Sequence, residues 1–338
     1  MTAIRWSLAG LGQGAKGLVQ DRVEIAAPTG AEVRVRTKAV SLNYRDLLVL
    51  DNGMGMDLAF PFVPCSDMAG EVEAVGPDVT RFRPGDKVIS TFVPGWIDGE
   101  SPGSGRNPNY KTLGGFHPGV LAEAVTFPQD WFVQAPKSLS PQEASTLPCA
   151  GLTAWFALRE KSRIAQGETM LVEGTGGVAL FGLAIAKAYG AEIFVTSGQA
   201  EKRERALALG ADHALAREGW VEEVYRITGD RGIDHILELV GGDHLGRALE
   251  AVAVGGRISV IGVLDGFTIS TSVGPLLLKA PVLQGIMVGH RRALEDFVAA
   301  IDEKGIKPVI EHSYSFDQVP EAFTRLAEGP FGKIVVTL

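Results

Sequence analysis

Residues 170–182, MLVEGTGGVALFG, carry the clearest chemistry in the chain. Gly174-Thr175-Gly176-Gly177-Val178-Ala179 fits a G-x-G-x-x-A fingerprint: Gly174 for the tight turn, Gly176 and Gly177 for close backbone approach, and Ala179 for helix–strand packing. Free N–H groups at the start of the following helix, with the positive end of its dipole, bind a pyrophosphate. Glycine turns are common, and a plain turn is the alternative reading. The apolar run 170–172, the helical stretch after the turn and the second run Ile193-Phe194-Val195 give it the context of a dinucleotide site.

The second strand decides between cofactors. Domains that prefer NAD place an acid about 20 residues beyond the turn, on the ribose 2′-hydroxyl. Here the strand ends Val195-Thr196-Ser197-Gly198-Gln199, with Lys202 and Arg203 following. A hydroxyl, a glycine and nearby cations accept a 2′-phosphate, which a carboxylate repels. NADP(H) is therefore the preferred cofactor and NAD(H) a possible one. The alternative reading of Lys202 and Arg203 is a solvated helix face paired with Glu201 and Glu204.

Metal and thiol chemistry have little to build on. The two cysteines, Cys65 and Cys149, exclude a disulfide framework and fit a reducing, cytoplasmic setting. Both read as small buried residues. The six histidines, at 117, 213, 235, 244, 290 and 312, show no HxxxH or HxH spacing. His117 lies near a long loop and receives no role.

The elements that must position these residues fall into two regimes. At 338 residues, 46% hydrophobic and 21% charged, the chain is long enough for two soluble domains. A net charge of −8, with no Lys/Arg run beyond three residues, argues against a nucleic-acid surface. No apolar stretch of about 20 residues suggests a membrane span. Residues 1–149 read mostly as β: 32–36 and 68–76 alternate, 87–90 follows the turn Arg83-Pro84-Gly85-Asp86, and 119–127 resumes strand character. Residues 93–115 read as a long surface loop, and Ser140-Pro141-Gln142-Glu143 as a capped helix start. Strands are expected at 169–173, 192–196, 213–215, 234–240, 256–261 and 281–287, with helices at 178–189, 200–209, 218–227 and 243–253. That alternation is an α/β doubly wound parallel sheet of Rossmann type. Two helices, 292–303 and 319–328, and a strand at 333–337 close the chain.

The ordered motifs resemble the medium-chain dehydrogenase/reductase superfamily over nearly the whole chain. They are Ser41-Leu42-Asn43-Tyr44-Arg45-Asp46, Pro61-Phe62-Val63-Pro64 before Ala69-Gly70-Glu71-Val72, Val75-Gly76, and Phe82-Arg83-Pro84-Gly85-Asp86-Lys87-Val88. Leu147-Pro148-Cys149-Ala150-Gly151-Leu152-Thr153-Ala154, the glycine turn, and Gly332-Lys333-Ile334-Val335 complete the set. The resemblance implies a GroES-like, mostly β substrate domain from residues 1–149 and 290–338. It also implies a Rossmann domain over 150–289, with the active site in the cleft between the two.

The same resemblance locates what is missing. Zinc-dependent members place ligands where this chain has Asn43, Ser66 and Cys149. A catalytic zinc site needs three ligands from Cys, His, Asp or Glu. Asn43 and Ser66 are poor ones, and Asp67 with Cys149 is an incomplete set. The four clustered cysteines of the family's structural zinc lobe are absent from 93–115. No zinc is expected. The implied reaction is that of the zinc-independent quinone and enone reductases, hydride transfer from NADPH to a conjugated carbonyl. By family position the catalytic candidates are Asn43 and Tyr44, holding the carbonyl oxygen, with Asp46 orienting them or serving structure. Tyr44 is the candidate proton donor, with solvent as the alternative source. The sequence reads Asp51-Asn52-Gly53-Met54 where relatives carry Gly-x-Tyr.

Further cofactor contacts follow by position: Thr153, Val240-Gly241, Ile261 and Val263 around Gly262, and Met287 with Gly289. Phe92, Trp96 and Phe116 either shape an apolar pocket or pack the loop down. The edge strand 281–287 suggests a homodimer. Two competing functions stay open: an alcohol dehydrogenase or aldehyde reductase of the same fold, and a non-catalytic NADPH-binding sensor or structural, crystallin-like protein.

Overall fold

In the computed structural model, which describes residues 1–338, the chain enters as β1 (Thr2–Leu8), antiparallel to β2 (Leu18–Glu24). Five more strands follow: β3 (Glu32–Ser41), β4 (Asp67–Val75), β5 (Lys87–Ser90), β6 (Ala124–Pro128) and β7 (Phe132–Gln134). Val33, Val35, Thr37 and Ala39 of β3 are all buried, so every second side chain faces one core. Between β3 and β4 lies α1 (Tyr44–Asn52), with Asn43 at its N-cap. Asp46 Oδ2 accepts the Asn43 N–H at 2.8 Å, which satisfies a donor at the helix start. No regular element lies between β5 and β6, so residues 93–115 are the loop that their Gly, Pro and Asn content predicts.

The chain divides into two compact units, Met1–Leu152 with Gly289–Leu338, and Thr153–Val288. The second unit contains β8 (Thr169–Glu173), α2 (Gly177–Ala188), β9 (Glu192–Thr196), α3 (Ala200–Leu209) and β10 (His213–Leu215). It continues with α4 (Trp220–Thr228), β11 (Ile233–Glu238), α5 (His244–Ala251), β12 (Val252–Val260), α6 (Val273–Lys279) and β13 (Val282–Gly285). Its sheet order is β10-β9-β8-β11-β12-β13, parallel throughout. Every residue of β8 is buried, as for a strand covered on both faces. The strand order reverses between β8 and β11, and ligands of such sheets bind beyond the C-terminal strand ends there. The fold is thus a Rossmann-like parallel sheet plus a separate, mostly β, GroES-like region.

The first unit resumes with α7 (Arg291–Lys304), β14 (Ile310–Ser315), α8 (Val319–Ala327) and β15 (Lys333–Thr337). β15 pairs with β3, so the chain's end completes the sheet its beginning started, in the order β14-β15-β3-β4-β5-β7 with β6 on β3. Val335 and Val336 lie opposite Ser41 and Val40, which places Lys333 beside the entry to α1.

Several expected elements differ. Strand character over 119–127 is confined to β6, because Gly119 and Val120 donate instead to the Val63 and Cys65 carbonyls at 2.7 and 3.0 Å. The helix expected over 243–253 stops at Ala251, where the chain turns directly into β12. The edge strand expected at 281–287 is the shorter β13. β1, β2, β7, β14 and α6 have no counterpart in the sequence reading; β14 (IEHSYS) lacks apolar alternation, and α6 (VGPLLLK) carries Gly and Pro.

Candidate functional site

In the second unit, the glycine turn follows directly from β8. Gly174 has φ 89°, a left-handed conformation that favours glycine, and its N–H donates to Thr196 O at 2.9 Å. Gly176 is the N-cap of α2, with no side-chain cap and no acid in the first turn. The N–H groups around Gly177 and Val178 therefore face an open approach, and a Cβ on Gly174 or Gly176 would meet nothing within 4 Å. An uncapped helix start of this kind can accept an anion. Thr175 is buried beside it. Close packing of the helix onto the sheet involves a further residue, Gly182, whose Cβ would lie 2.7 Å from Leu237 Cδ1.

The strand ends gather the remaining cofactor candidates of this unit along one edge of the sheet. Ser197 and Gly198 follow β9, and Arg203 Nη1 donates to Ser197 O at 2.8 Å. A guanidinium is thus tied to the β9 exit, where no acid stands. Lys202 lies half-buried in the first turn of α3. Beyond β11, Glu238 Oε1 accepts the N–H groups of Val240 and Gly241 at 2.9 and 2.6 Å. Ile261 and Gly262 both donate to Glu238 O at 3.0 Å, holding the β12 exit that continues into Val263. Thr153 is buried at the start of this unit, Met287 is half-buried near its end, and Gly289 belongs to the first unit.

In the first unit, the residues singled out around α1 form a buried polar cluster. Asn43 is 7% exposed, and its Oδ1 accepts from Lys333 Nζ at 2.6 Å. Lys333 is 4% exposed and also donates to Leu42 O at 2.5 Å. An ammonium has only donors, so the amide oxygen must face it and Nδ2 must point away. That Nδ2 is buried and turned toward the Asp67 carboxylate, whose charged form it favours. Asp67 accepts from Ser66 Oγ at 2.6 Å and from the Cys149 N–H at 3.0 Å. Burial raises its pKa above the ordinary 3.8, while Lys333 opposes the rise. Asp46 is fully buried; burial raises it to about 6 against the pull of Arg45, whose Nη1 lies 3.4 Å away. Arg45 also donates to Leu113 O at 3.2 Å, Thr112 Oγ1 at 3.0 Å and Gly114 O at 3.4 Å, tying α1 to the end of the long loop. Tyr44 is 42% exposed, on the outer side of the helix start.

This donor set does not fit a divalent metal. The Asn43 oxygen is occupied by an ammonium, the Ser66 hydroxyl donates to Asp67, and burial pushes the Cys149 thiol well above its ordinary range. No group of three or more His, Cys, Asp or Glu is arranged around a common point.

The loop aromatics divide. Phe92 is buried with the Arg45 guanidinium 5.1 Å from its ring centroid, and Trp96 is buried edge-on against His290 at 5.6 Å. Both pack the loop down. Phe116 is 55% exposed, with its ring 5.0 Å from that of His117, which in turn lies 4.7 Å from Trp131. Burial lowers the His117 pKa.

Lys333 and Glu173 had no role in the sequence reading. The available signal was a charged residue at the end of a fully apolar strand, IVV after Lys333 and MLV before Glu173.

Comparison with known proteins bears on both units. Residues 29–137 match the alcohol dehydrogenase GroES-like domain, and residues 177–336 match the family model described as zinc-binding dehydrogenase. A zinc-type alcohol dehydrogenase-like protein of Schizosaccharomyces pombe is 36% identical over 317 residues, 91% of each chain. A quinone oxidoreductase of Rattus norvegicus is 25% identical over 95% of this chain and 93% of its own. A crystal structure assigned as an alcohol dehydrogenase from Sinorhizobium meliloti 1021 superposes with TM-score 0.97 at 62% identity, covering 100% of this chain and 99% of that one.

Proposed function

The chain belongs to the medium-chain dehydrogenase/reductase superfamily, and on that premise we propose that it reduces a conjugated carbonyl, a quinone or enone, with NADPH and without zinc. The carrying observation is the Asn43 amide, whose orientation is fixed by Lys333 on Oδ1 and whose Nδ2 carries two N–H groups, one side of it turned to Asp67. Reduced nicotinamide supplies the hydride. Delivery to the β carbon of an enone, or to a quinone ring, moves charge onto the carbonyl oxygen. A positioned donor stabilises that charge in a buried site. Asn43 Nδ2 is the donor, and the ammonium on Oδ1 polarises the amide so that its N–H groups bond more strongly. The proton that completes the product comes from Tyr44 or solvent; the exposure of Tyr44 permits exchange with either. Asp46 acts by capping α1, which fixes where Asn43 stands.

The N–H groups at Gly176 to Val178 would hold the pyrophosphate, and Arg203, with Lys202, Ser197 and Gly198, would hold the 2′-phosphate. Thr153, Val240, Gly241, Ile261, Val263, Met287 and Gly289 line the remainder by family position. Arg203→Ala is expected to weaken NADPH about tenfold or more while leaving NADH nearly unchanged, as for loss of one charge-assisted bond. Equal losses for both cofactors would remove the basis for NADP(H) preference.

The test is metal analysis of the purified protein together with NADPH oxidation against quinones, enones and aldehydes. Enone or quinone reduction without stoichiometric zinc supports the reading. Zinc occupancy with alcohol oxidation and no enone reduction would establish the alcohol dehydrogenase reading instead. NADPH binding without turnover would establish a sensor or structural role.

We propose also that the chain forms a homodimer through β13 and α6. Val282, Leu277 and Leu278 there are 54%, 70% and 84% exposed beside an unpaired strand edge. Sedimentation of wild type and Leu278→Lys tests this. Two free cysteines fit a cytoplasmic setting.

A further inference from the structure

Where the strand order of the second unit reverses, two glutamates meet. β8 and β11 pair in parallel with Leu237 opposite Val172, so Glu238 and Glu173 are the next residues of the two strands, at their C-terminal ends. Both are buried, at 0% and 4% exposure. Glu238 Oε1 receives the Val240 and Gly241 N–H groups. Glu238 Oε2 and both carboxyl oxygens of Glu173 receive no donor. The Leu239 N–H approaches Glu173 without closing a bond.

Three acceptor oxygens facing one another in a buried site need a hydrogen between them, and two such carboxyls cannot both stay ionised. We propose that Glu173 and Glu238 share one proton, and that this proton permits a dinucleotide's phosphates to sit on the glycine turn that starts at the next residue, Gly174. The inference rests on the dinucleotide reading of that turn, though not on NADPH over NADH. Both glutamates act as positioning residues. Glu238 fixes the Val240–Gly241 turn, and the proton on Glu173 leaves the pair with one negative charge. Without that proton, a second charge stands one residue from the anion seat.

The surroundings support this assignment. Burial pushes the Glu173 pKa well above the ordinary carboxyl range, and the Glu238 charge pushes it further. β9 presents Thr196 in register with Glu173, and the turn presents Thr175; neither is titratable. α5 presents Arg247, whose positive charge opposes the rise, and His244, which neighbours Glu238. Burial and the Arg247 and Arg217 charges lower the His244 pKa, so this histidine is uncharged in the alkaline range. Asp265, on the exposed turn after β12, is the remaining carboxylate near His244.

The sign of the linkage follows. A bound dinucleotide holds the shared proton more tightly, so affinity is full while the pair is protonated and falls as pH rises through its upper pKa. One linked proton gives a limiting slope of about tenfold in Kd per pH unit. At alkaline pH, binding takes up as much as one proton from solvent.

The experiment titrates NADPH and NADH into the full-length protein by calorimetry, in buffers of different ionisation enthalpy, from about pH 6 to 10 so as to span the window of a raised carboxyl. Glu173→Gln is measured alongside; its amide can donate to Glu238 and removes the carboxyl that would hold the shared proton. Infrared spectra record the carbonyl band of a protonated carboxyl in both proteins without ligand. We expect that band in wild type at neutral pH and its loss in E173Q. We also expect an alkaline rise in Kd with proton uptake for both dinucleotides in wild type, and neither in E173Q. No such band in wild type, or the same pH dependence in E173Q, overturns the proposal. A band that behaves as stated, with neither dinucleotide binding at any pH, overturns the linkage and the dinucleotide reading together while leaving the shared proton established.

Discussion

Asp46 and Asp67 in the first unit and Glu173 and Glu238 in the second are all carboxyls removed from water, yet their neighbours differ. Arg45 touches Asp46, and Lys333 bears on Asp67 from the Asn43 side. The glutamates face each other, with only the exposed Arg247 nearby. Where a cation is built in, burial raises Asp46 no further than about 6, so both it and its helix-capping bond carry charge at neutral pH. Where none is, Glu173 rises well above the carboxyl range and a proton takes the place of the cation. The first arrangement keeps Asp46 charged at neutral pH and fixes Lys333 on the Asn43 amide. The second makes the anion site beside it sensitive to pH.

Removing the cation from the first cluster converts it towards the second. Lys333→Met removes the charge that opposes the rise of Asp67 and leaves Leu42 O and Asn43 Oδ1 without their buried donor, at about 1–3 kcal/mol for each unsatisfied group. Urea unfolding is expected to show this loss at pH 7 and a smaller one at pH 5, where Asp67 escapes by protonation. Equal losses at both would mean the ammonium serves packing alone.

Asp46 offers a pH test of opposite intent. Its folded pKa lies above the unfolded 3.8, so its contribution to stability is complete below that value and is lost as pH rises through about 6. Relative to Asp46→Asn, wild type should gain about 2 kcal/mol between pH 7 and pH 4, most of what the full shift is worth. A constant difference across the range would mean that Arg45 already neutralises the carboxyl.

Asn43→Ala removes the proposed oxygen-stabilising donor and is expected to lower kcat about 100-fold with KM little changed. A change confined to KM would assign Asn43 to ground-state binding. The smallest effect belongs to the lone cation of the second cluster. Arg247→Gln should move the alkaline limb of dinucleotide affinity upward by a few tenths of a pH unit, because an exposed charge is well screened. A downward shift would reverse the assignment of Arg247 as the opposing charge.

The parallel sheet was legible because strands buried on both faces read as unbroken apolar runs, such as MLV before Glu173 and IFV after Glu192. Glycine spacing made the turn from β8 into α2 legible for a similar reason: the constraint is local. β2 and β14 were not, since LVQDRVE and IEHSYS are half-exposed and take their strand form from a partner. In the site, the residue types at Asn43, Ser66 and Cys149 could be read directly. Lys333 could not, because a lysine before an apolar strand reads as solvated, and its partners, Leu42 O and Asn43 Oδ1, lie about 290 positions away in sequence. The glutamate pair depends likewise on strand register, although two apolar strands each closing on Glu were visible.

The grip of Arg45 on the long loop has a consequence for proteolysis. Residues 97–108 are exposed throughout, and Arg106 offers trypsin a bond to Asn107. On one side of that bond, Arg45 holds Thr112, Leu113 and Gly114. On the other, the Arg291 and Arg292 N–H groups hold the Trp96 and Ile97 carbonyls at 2.9 and 3.0 Å. A nick after Arg106 should therefore leave two fragments that separate in denaturant yet travel as one particle under native conditions.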